Sequence, residues 1–383
     1  MSDTCRAVVF HGDGTWALRD DFTVPTPPPG GAVLAVEAVG LCHSDVAQLA
    51  GQKHVPGEVC PVVPGHEIVG RVHALADDAD LGVEVDDRVA VDIVWFGQPY
   101  EGNPFGVRCY GYSFGLDEGA GLWGGYGEYM AVLPGTHLAR LTDEVPAAEL
   151  TLFEPLSNMV AWLGRAQFQA GQTIVIQGPG HMGLTCAAYA KRLGAGQVIV
   201  TGTGEDVTRL AVALEVGADH AIDVTADDPV EAVMDLTGGF GASLAVDLAS
   251  APITPGLCFD LVHQRGTVVW AGLKDRQAVP VEVTRQALDQ RVVTASADGA
   301  LRWAVGPDRS WEFVVDGVGQ PLVDPDEPGA VADHPSVRVA RDSVGLLVLD
   351  DDGSTSRRAV QVALFGVVLL LASWARTARE VPR

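Results

Sequence analysis

The stretch that most restricts the fold of this chain is GPGHMG, residues 178–183. It matches G-x-G-x-x-G, follows the apolar run QTIVIQG and opens a predicted helix, PGHMGLTCAAYAKRLGA. A lone match is weak, because an ordinary glycine turn between strand and helix reads the same way. The strand before it and the helix after it make it a dinucleotide fingerprint. Gly178 permits the tight turn, Gly180 lets backbone approach a pyrophosphate, and Gly183 allows close helix–strand packing. The helix start offers unpaired N–H groups and a positive dipole end to the phosphates. His181 and Met182 lie inside the fingerprint and are candidate cofactor contacts with the three glycines.

The surrounding rhythm agrees. QVIVTG, the helical DVTRLAVALEVGA, HAIDV, SLAVDLAS, GTVVWAG and RVVTASA follow in turn. Alternation of β and α at this spacing predicts an α/β domain, a doubly wound parallel sheet with right-handed crossovers, over 156–300. Residues 1–155 read differently: RAVVF, GAVLAVEAVG, EIVGRVHAL and DRVAVDIVW are short strands broken by Gly and Pro, a compact β-rich domain. Over 301–383 the periodic signal fades, and no element is placed there.

An NAD site usually carries an acidic residue roughly twenty positions after the fingerprint, to hold the ribose hydroxyls. Here the strand ends in Gly202, which removes that acid and leaves room for a 2′-phosphate. Yet Glu205 and Asp206 follow and would repel a phosphate, and Arg209 is the nearest base. The expectation is NAD, with NADP open.

Composition excludes some partners. Hydrophobic residues are 47% and charged residues 20%, which fits a globular and not a disordered chain. Three of the 25 basic residues are lysines (Lys53, Lys191, Lys274), and the net charge of −25 gives no reason to expect nucleic acid or an anionic membrane. The six cysteines are scattered without a CxxC pair, and MSDTCRAVVF has no signal-peptide pattern, so a reducing cytoplasm is expected. The uncharged run AVQVALFGVVLLLASWA, 359–375, sits at the lower edge of membrane-spanning length; a buried helix or packed terminal segment is expected there.

The β-rich half groups reactive side chains in GLCHSD (40–45) and PGHEIVG (64–70), and TLFEPLSN (151–158) adds a carboxylate at the junction. Thiolate and imidazole are good zinc ligands, and a catalytic zinc needs three protein ligands with one open position. Cys42 alone reads as a buried small residue, and His66 alone as a core histidine. With the fingerprint, a Cys/His/Glu zinc site beside a nicotinamide is the expectation.

At these motifs the chain resembles the zinc-dependent medium-chain dehydrogenases, which include alcohol, sorbitol and threonine dehydrogenases. The resemblance covers about residues 5–295 and is carried by GLCHSD, GHEIVG, WGGYGEYM (123–130), FEPLSN and GPGHMG in the family's order. It implies a GroES-like catalytic domain joined to a Rossmann domain. It also implies zinc on Cys42, His66 and Glu154, Glu67 near the metal, Ser44 on the substrate proton, and Asp45 behind the far nitrogen of His66. The implied reaction moves a hydride between an alcohol, or its aldehyde or ketone, and NAD or NADP, in a homodimer or homotetramer. The competing readings are a zinc-free quinone or enoyl reductase, against which the ligand set argues, and a nucleotide-binding protein of the same fold with impaired turnover.

Two departures stand out. Many members carry a structural zinc on four cysteines, whereas residues 94–121 hold only Cys109. One thiol cannot close such a site, so one catalytic zinc and no structural zinc is expected, with the lobe's aromatics packing in its place or lining the cleft. Relatives that pass the proton through a histidine would need one near position 47, which is Ala47. His43 and His54 are the nearby candidates.

Overall fold

The computed structural model describes residues 4–53, 55, 57–98, 106–274 and 279, and the backbone of three strands at 292–295, 299–305 and 311–317. It divides into two compact units, with the change falling between Glu154 and Pro155.

The first unit opens with an antiparallel pair, β1 (Thr4–Phe10) and β2 (Trp16–Thr23). β2 has no counterpart among the runs predicted from sequence, because WALRDDFT is mostly solvent-facing and buries only Phe22 fully. Then come β3 (Ala32–Val39), α1 (His43–Leu49), β4 (Ile68–Leu75), β5 (Arg88–Val91), β6 (Val94–Phe96), β7 (Val107–Cys109), β8 (Tyr129–Val132) and β9 (Leu138–Arg140). Five strands form an antiparallel sheet in the order β8-β3-β4-β5-β9, and β6 pairs with β7. The run DRVAVDIVW is thus two strands in two sheets. Leu34, Ile68, Val89, Met130 and Val132 are fully buried in one core.

An ion-pair network crosses this sheet. Glu37 on β3 accepts from Arg71 Nε on β4 at 2.8 Å and from Arg88 Nε on β5 at 2.5 Å. Burial raises the Glu37 pKa, but the two arginines outweigh it and hold the carboxyl below its ordinary value.

Residues 94–98 and 106–123 include a packed aromatic cluster. Tyr110 stacks on Phe114 (centroids 5.3 Å), Phe114 on Trp123 (5.2 Å), and the Arg108 guanidinium lies 3.8 Å from the Phe114 ring. The polar handles are satisfied: Tyr110 OH meets Thr136 Oγ1 at 2.7 Å, and Trp123 Nε1 donates to Glu118 O at 2.7 Å. Tyr100 and Phe105 lie outside the described residues.

Two helices, α2 (Ala147–Leu150) and α3 (Phe153–Arg165), lead to the second unit. There β10 (Thr173–Gln177), α4 (His181–Arg192), β11 (Gln197–Gly202), α5 (Val207–Glu215), β12 (His220–Asp223), α6 (Pro229–Leu236), β13 (Ala242–Asp247), α7 (Thr254–Leu261), β14 (Val262–Trp270) and β15 (Val292–Ala295) follow in turn. The sheet order is β12-β11-β10-β13-β14-β15, with every pair parallel. This is the doubly wound order, and its direction reverses beside β10, the strand that feeds the fingerprint. Both faces are covered: Ile174, Ile176, Val198 and Val200 enter one core, Val175 and Ile199 another. Continuous apolar strands follow from that two-sided burial. α6 begins where Asp228 accepts from the N–H of Val230 and Glu231 and Pro229 takes the first helical position.

Beyond 300, where the sequence suggested no element, β16 (Gly299–Val305) and β17 (Trp311–Gly317) form a two-stranded sheet. Among the described residues no helix is long and apolar enough to cross a membrane. The uncharged run at 359–375 lies outside the described residues.

The Glu37 network sets a pH dependence. Its folded pKa lies below its unfolded one, so its stabilisation is full above the unfolded value, about 4.3, and is lost as pH falls through the folded value. Glu37→Gln is expected to lower the melting temperature at pH 7, with the gap to wild type closing at pH 3 in parallel thermal melts.

Candidate functional site

The centre of the first unit is built by the loop after β3, the start of α1 and the residues entering β4. Gly40 N–H donates to Glu67 O at 3.0 Å, which ties the first loop to the third. A Cβ on Gly40 would lie 1.7 Å from Glu67 Oε2, so only glycine leaves room for that carboxylate. Cys42 is the extended residue that precedes α1, and its N–H donates to Asp45 Oδ2 at 2.8 Å. The first turn of α1 carries Ser44 and Asp45, and Asp45 is 2% exposed.

His66 is buried behind this turn. Asp45 Oδ1 lies 3.3 Å from His66 Nδ1, and Tyr112 OH lies 3.1 Å from the same nitrogen. Ser44 Oγ lies 3.4 Å from Nε2 on the other side of the ring and 2.8 Å from Tyr112 OH. Burial alone would push the imidazole pKa down. Hydrogen bonding to Asp45 and Cys42, with the charges of Asp45 and Glu154, holds it well above the ordinary histidine value instead. Burial likewise pushes the Tyr112 phenol well up, and the Asp45 charge adds to this, so the phenol is neutral.

The ligand atoms of Cys42, His66 and Glu67 all lie within 4.8 Å of one another. A thiol, an imidazole and a carboxylate so gathered are a zinc donor set, and surroundings that favour a protonated imidazole are surroundings that accept a cation. Glu154, in the first turn of α3, stands outside this trio, with its charge reaching His66. Of the residues singled out in the sequence, the structure thus gathers Cys42, Ser44, Asp45, His66 and Glu67. Among the relay candidates, Ala47 is buried, His43 is exposed, and His54 lies outside the described residues. Tyr112 was missed; from sequence it was one aromatic among seven in its lobe.

In the second unit, Gly178 has φ +98° and no room for a Cβ beside Ala249 N, 3.0 Å away. A Cβ on Gly183 would come within 1.9 Å of Gly178 O, which is the close helix–strand approach. Gly180 caps α4 and faces open space, with nothing within 4 Å of its would-be Cβ. His181 opens α4, where its carbonyl accepts from Thr185 Oγ1, and Met182 packs on the sheet core. Gly202 has a packing reason: a Cβ there would lie 2.8 Å from Pro179 Cγ and 3.2 Å from Asp206 Cβ. Asp206 accepts from Thr203 N and Oγ1 (3.1 and 2.9 Å) and from Arg209 (2.9 Å). Burial raises its pKa, but these partners outweigh it and keep the carboxyl below its ordinary value. At the ends of β13 and β14, Lys274 pairs with the fully buried Asp247 at 2.9 Å.

The model of the alcohol dehydrogenase GroES-like domain matches residues 28–143, and the zinc-binding dehydrogenase model matches 182–310. The chain is 37% identical over 291 residues to the Probable alcohol dehydrogenase adh of Mycobacterium tuberculosis H37Rv, covering 72% of this chain and 78% of that protein. The chain belongs to the zinc-type medium-chain dehydrogenase family. Another member, the erythritol/L-threitol dehydrogenase of Mycolicibacterium smegmatis, is 32% identical over 64% of this chain and 70% of its own length. The solved alcohol dehydrogenase of Thermotoga maritima, 23% identical, shares the fold with a TM-score of 0.67 over 76% of this chain and 84% of that one.

For this dehydrogenase the Gly40–Glu67 contact is testable. Gly40→Ala must displace the carboxylate, and zinc affinity measured against a chelating dye is expected to fall about tenfold or more. Gly164→Ala, where a Cβ meets nothing within 4 Å, is the neutral control.

Proposed function

We propose that this protein is a zinc-dependent alcohol dehydrogenase acting on a primary or secondary alcohol, a polyol among them, or on the matching carbonyl, with NAD as its cofactor. The observation that carries this reading is the half-buried Cys42 gathered with the buried His66 and Glu67, with the Ser44 hydroxyl beside them. Cys42, His66 and Glu154 hold the metal, and Glu67 stands next to it as a further carboxylate. Bound zinc supplies Lewis acidity toward the alcohol or carbonyl oxygen.

The chain's own residues supply the rest. Ser44 offers the substrate hydroxyl a hydrogen-bond partner. Asp45 lies against Nδ1 of His66, which leaves Nε2 as the coordinating nitrogen. The glycines of 178–183, with His181, Met182 and Gly202, form the bed for the dinucleotide. The lone Cys109 in residues 94–121 supports one zinc per chain.

The choice of NAD is supported by Asp206. A Cβ at Gly202 would meet both Pro179 and Asp206, so Asp206 is an acid that flanks this strand end, and it also occupies Arg209. An ionised carboxylate there repels a 2′-phosphate.

Purified protein is expected to hold close to one zinc per chain by elemental analysis, and Cys42→Ala to lose both zinc and activity on an alcohol and aldehyde panel. Full activity in metal-free wild type would overturn the mechanism. Glu154→Gln is expected to weaken zinc retention more than Glu67→Gln; the reverse order moves the third ligand to Glu67. Fluorescence titration is expected to show tighter binding of NADH than of NADPH, and equal or reversed affinities reject the cofactor assignment.

A further inference from the structure

Tyr112 stands at a point where the site has a gap. A serine hydroxyl rotates freely unless something holds it, and it carries one proton and two lone pairs. Ser44 therefore presents a defined face to a substrate oxygen only if a second group fixes it. Position 47 is a buried alanine, and the amide of the next residue, Gln48, is committed to Gly111 O at 2.8 Å. The hydrogen-bond partner at short range is the Tyr112 hydroxyl, 2.8 Å from Ser44 Oγ.

The surroundings hold Tyr112 in that position. Its residue is 3% exposed. Gly111, at φ +79°, comes so close to the 64–66 loop that a Cβ would lie 2.6 Å from Gly65 O. Gly111 N–H donates to Trp123 O at 2.8 Å, and Val59 N–H donates to Tyr112 O at 2.9 Å. Gln48 ties the same segment back to α1, the helix that carries Ser44. The phenol ring lies beside the imidazole of His66, centroids 5.2 Å apart, with its hydroxyl 3.1 Å from Nδ1. One hydroxyl thus bridges the metal-side imidazole and the substrate-side serine, and a phenol can donate to one while accepting from the other.

We propose that Tyr112 is a positioning residue that holds the Ser44 hydroxyl in the orientation able to exchange a hydrogen bond with the substrate oxygen. The inference rests on the reading of Ser44 given above. In this chain the lobe that carries a single cysteine reaches into the site through Tyr112, while its neighbours Tyr110 and Phe114 stay in the aromatic stack.

A double-mutant cycle tests it. Tyr112→Phe is expected to lower kcat about tenfold, the size of one lost hydrogen bond, with KM for the cofactor and zinc content unchanged. In the Ser44→Ala background the same substitution is expected to do nothing more, because its target is gone. A crystal structure of Tyr112→Phe is expected to show Ser44 spread over more than one χ1 rotamer. Tyr110→Phe, which removes a buried phenol hydroxyl from the same lobe, controls for plain loss of stability and is expected to keep kcat while lowering the melting temperature. Equal losses from Tyr112→Phe with and without Ser44, or an unmoved Ser44 in the crystal, overturn the role of Tyr112. Loss in Ser44→Ala with none in Tyr112→Phe overturns that role and leaves Ser44 standing. Full activity in Ser44→Ala overturns the assignment of Ser44 and this inference with it.

Discussion

The contact between Asp45 and His66 is the interaction around which the first unit is arranged. Both side chains are nearly sealed from water, at 2% and 5% exposure. A buried carboxylate and a buried imidazole are costly unless their remaining polar atoms find partners. That demand is met in part: Asp45 Oδ2 takes the N–H of Cys42, the phenol of Tyr112 reaches the imidazole and Ser44 touches both, while Asp45 Oδ1 faces His66 Nδ1 at 3.3 Å with no hydrogen-bond partner among the described residues. The same arrangement points the thiol of Cys42 and the carboxylate of Glu67 at the imidazole. Holding the imidazole and gathering the three donor atoms are therefore one local arrangement.

Glycine placement makes the solution fit. Gly40 admits Glu67, and Gly111 with Gly65 lets two loops approach at backbone distance. In the second unit, Gly183 lets α4 sit on the turn at Gly178, while Gly202 yields to Pro179. Each is a place where a methyl group would collide with backbone or with a residue the site needs.

Much of this was legible in the sequence, for a physical reason. The fingerprint, the cysteine and serine of GLCHSD and the histidine of PGHEIVG act through local backbone geometry, which short motifs encode. The parallel sheet was legible because strands buried on both faces are continuously apolar, as in QTIVIQ and QVIVTG. What escaped depends on partners far along the chain. β2 escaped because its face is exposed, and Tyr112 because its meaning lies in Ser44, 68 residues away. The packing reason for Gly202 required seeing Pro179 against it.

The stack of Tyr110, Phe114 and Trp123, closed by Arg108, has a consequence for how the protein meets its surroundings. Cross-linking a lobe through four thiolates makes its shape hostage to metal supply and to oxidants. Ring faces and a guanidinium carry no such liability, since nothing in them can be chelated or oxidised to a disulfide. Cys109, the one cysteine of residues 94–121, is buried. On the function proposed above, metal scarcity silences the chemistry while this lobe stays folded, and returning the ion alone restores activity.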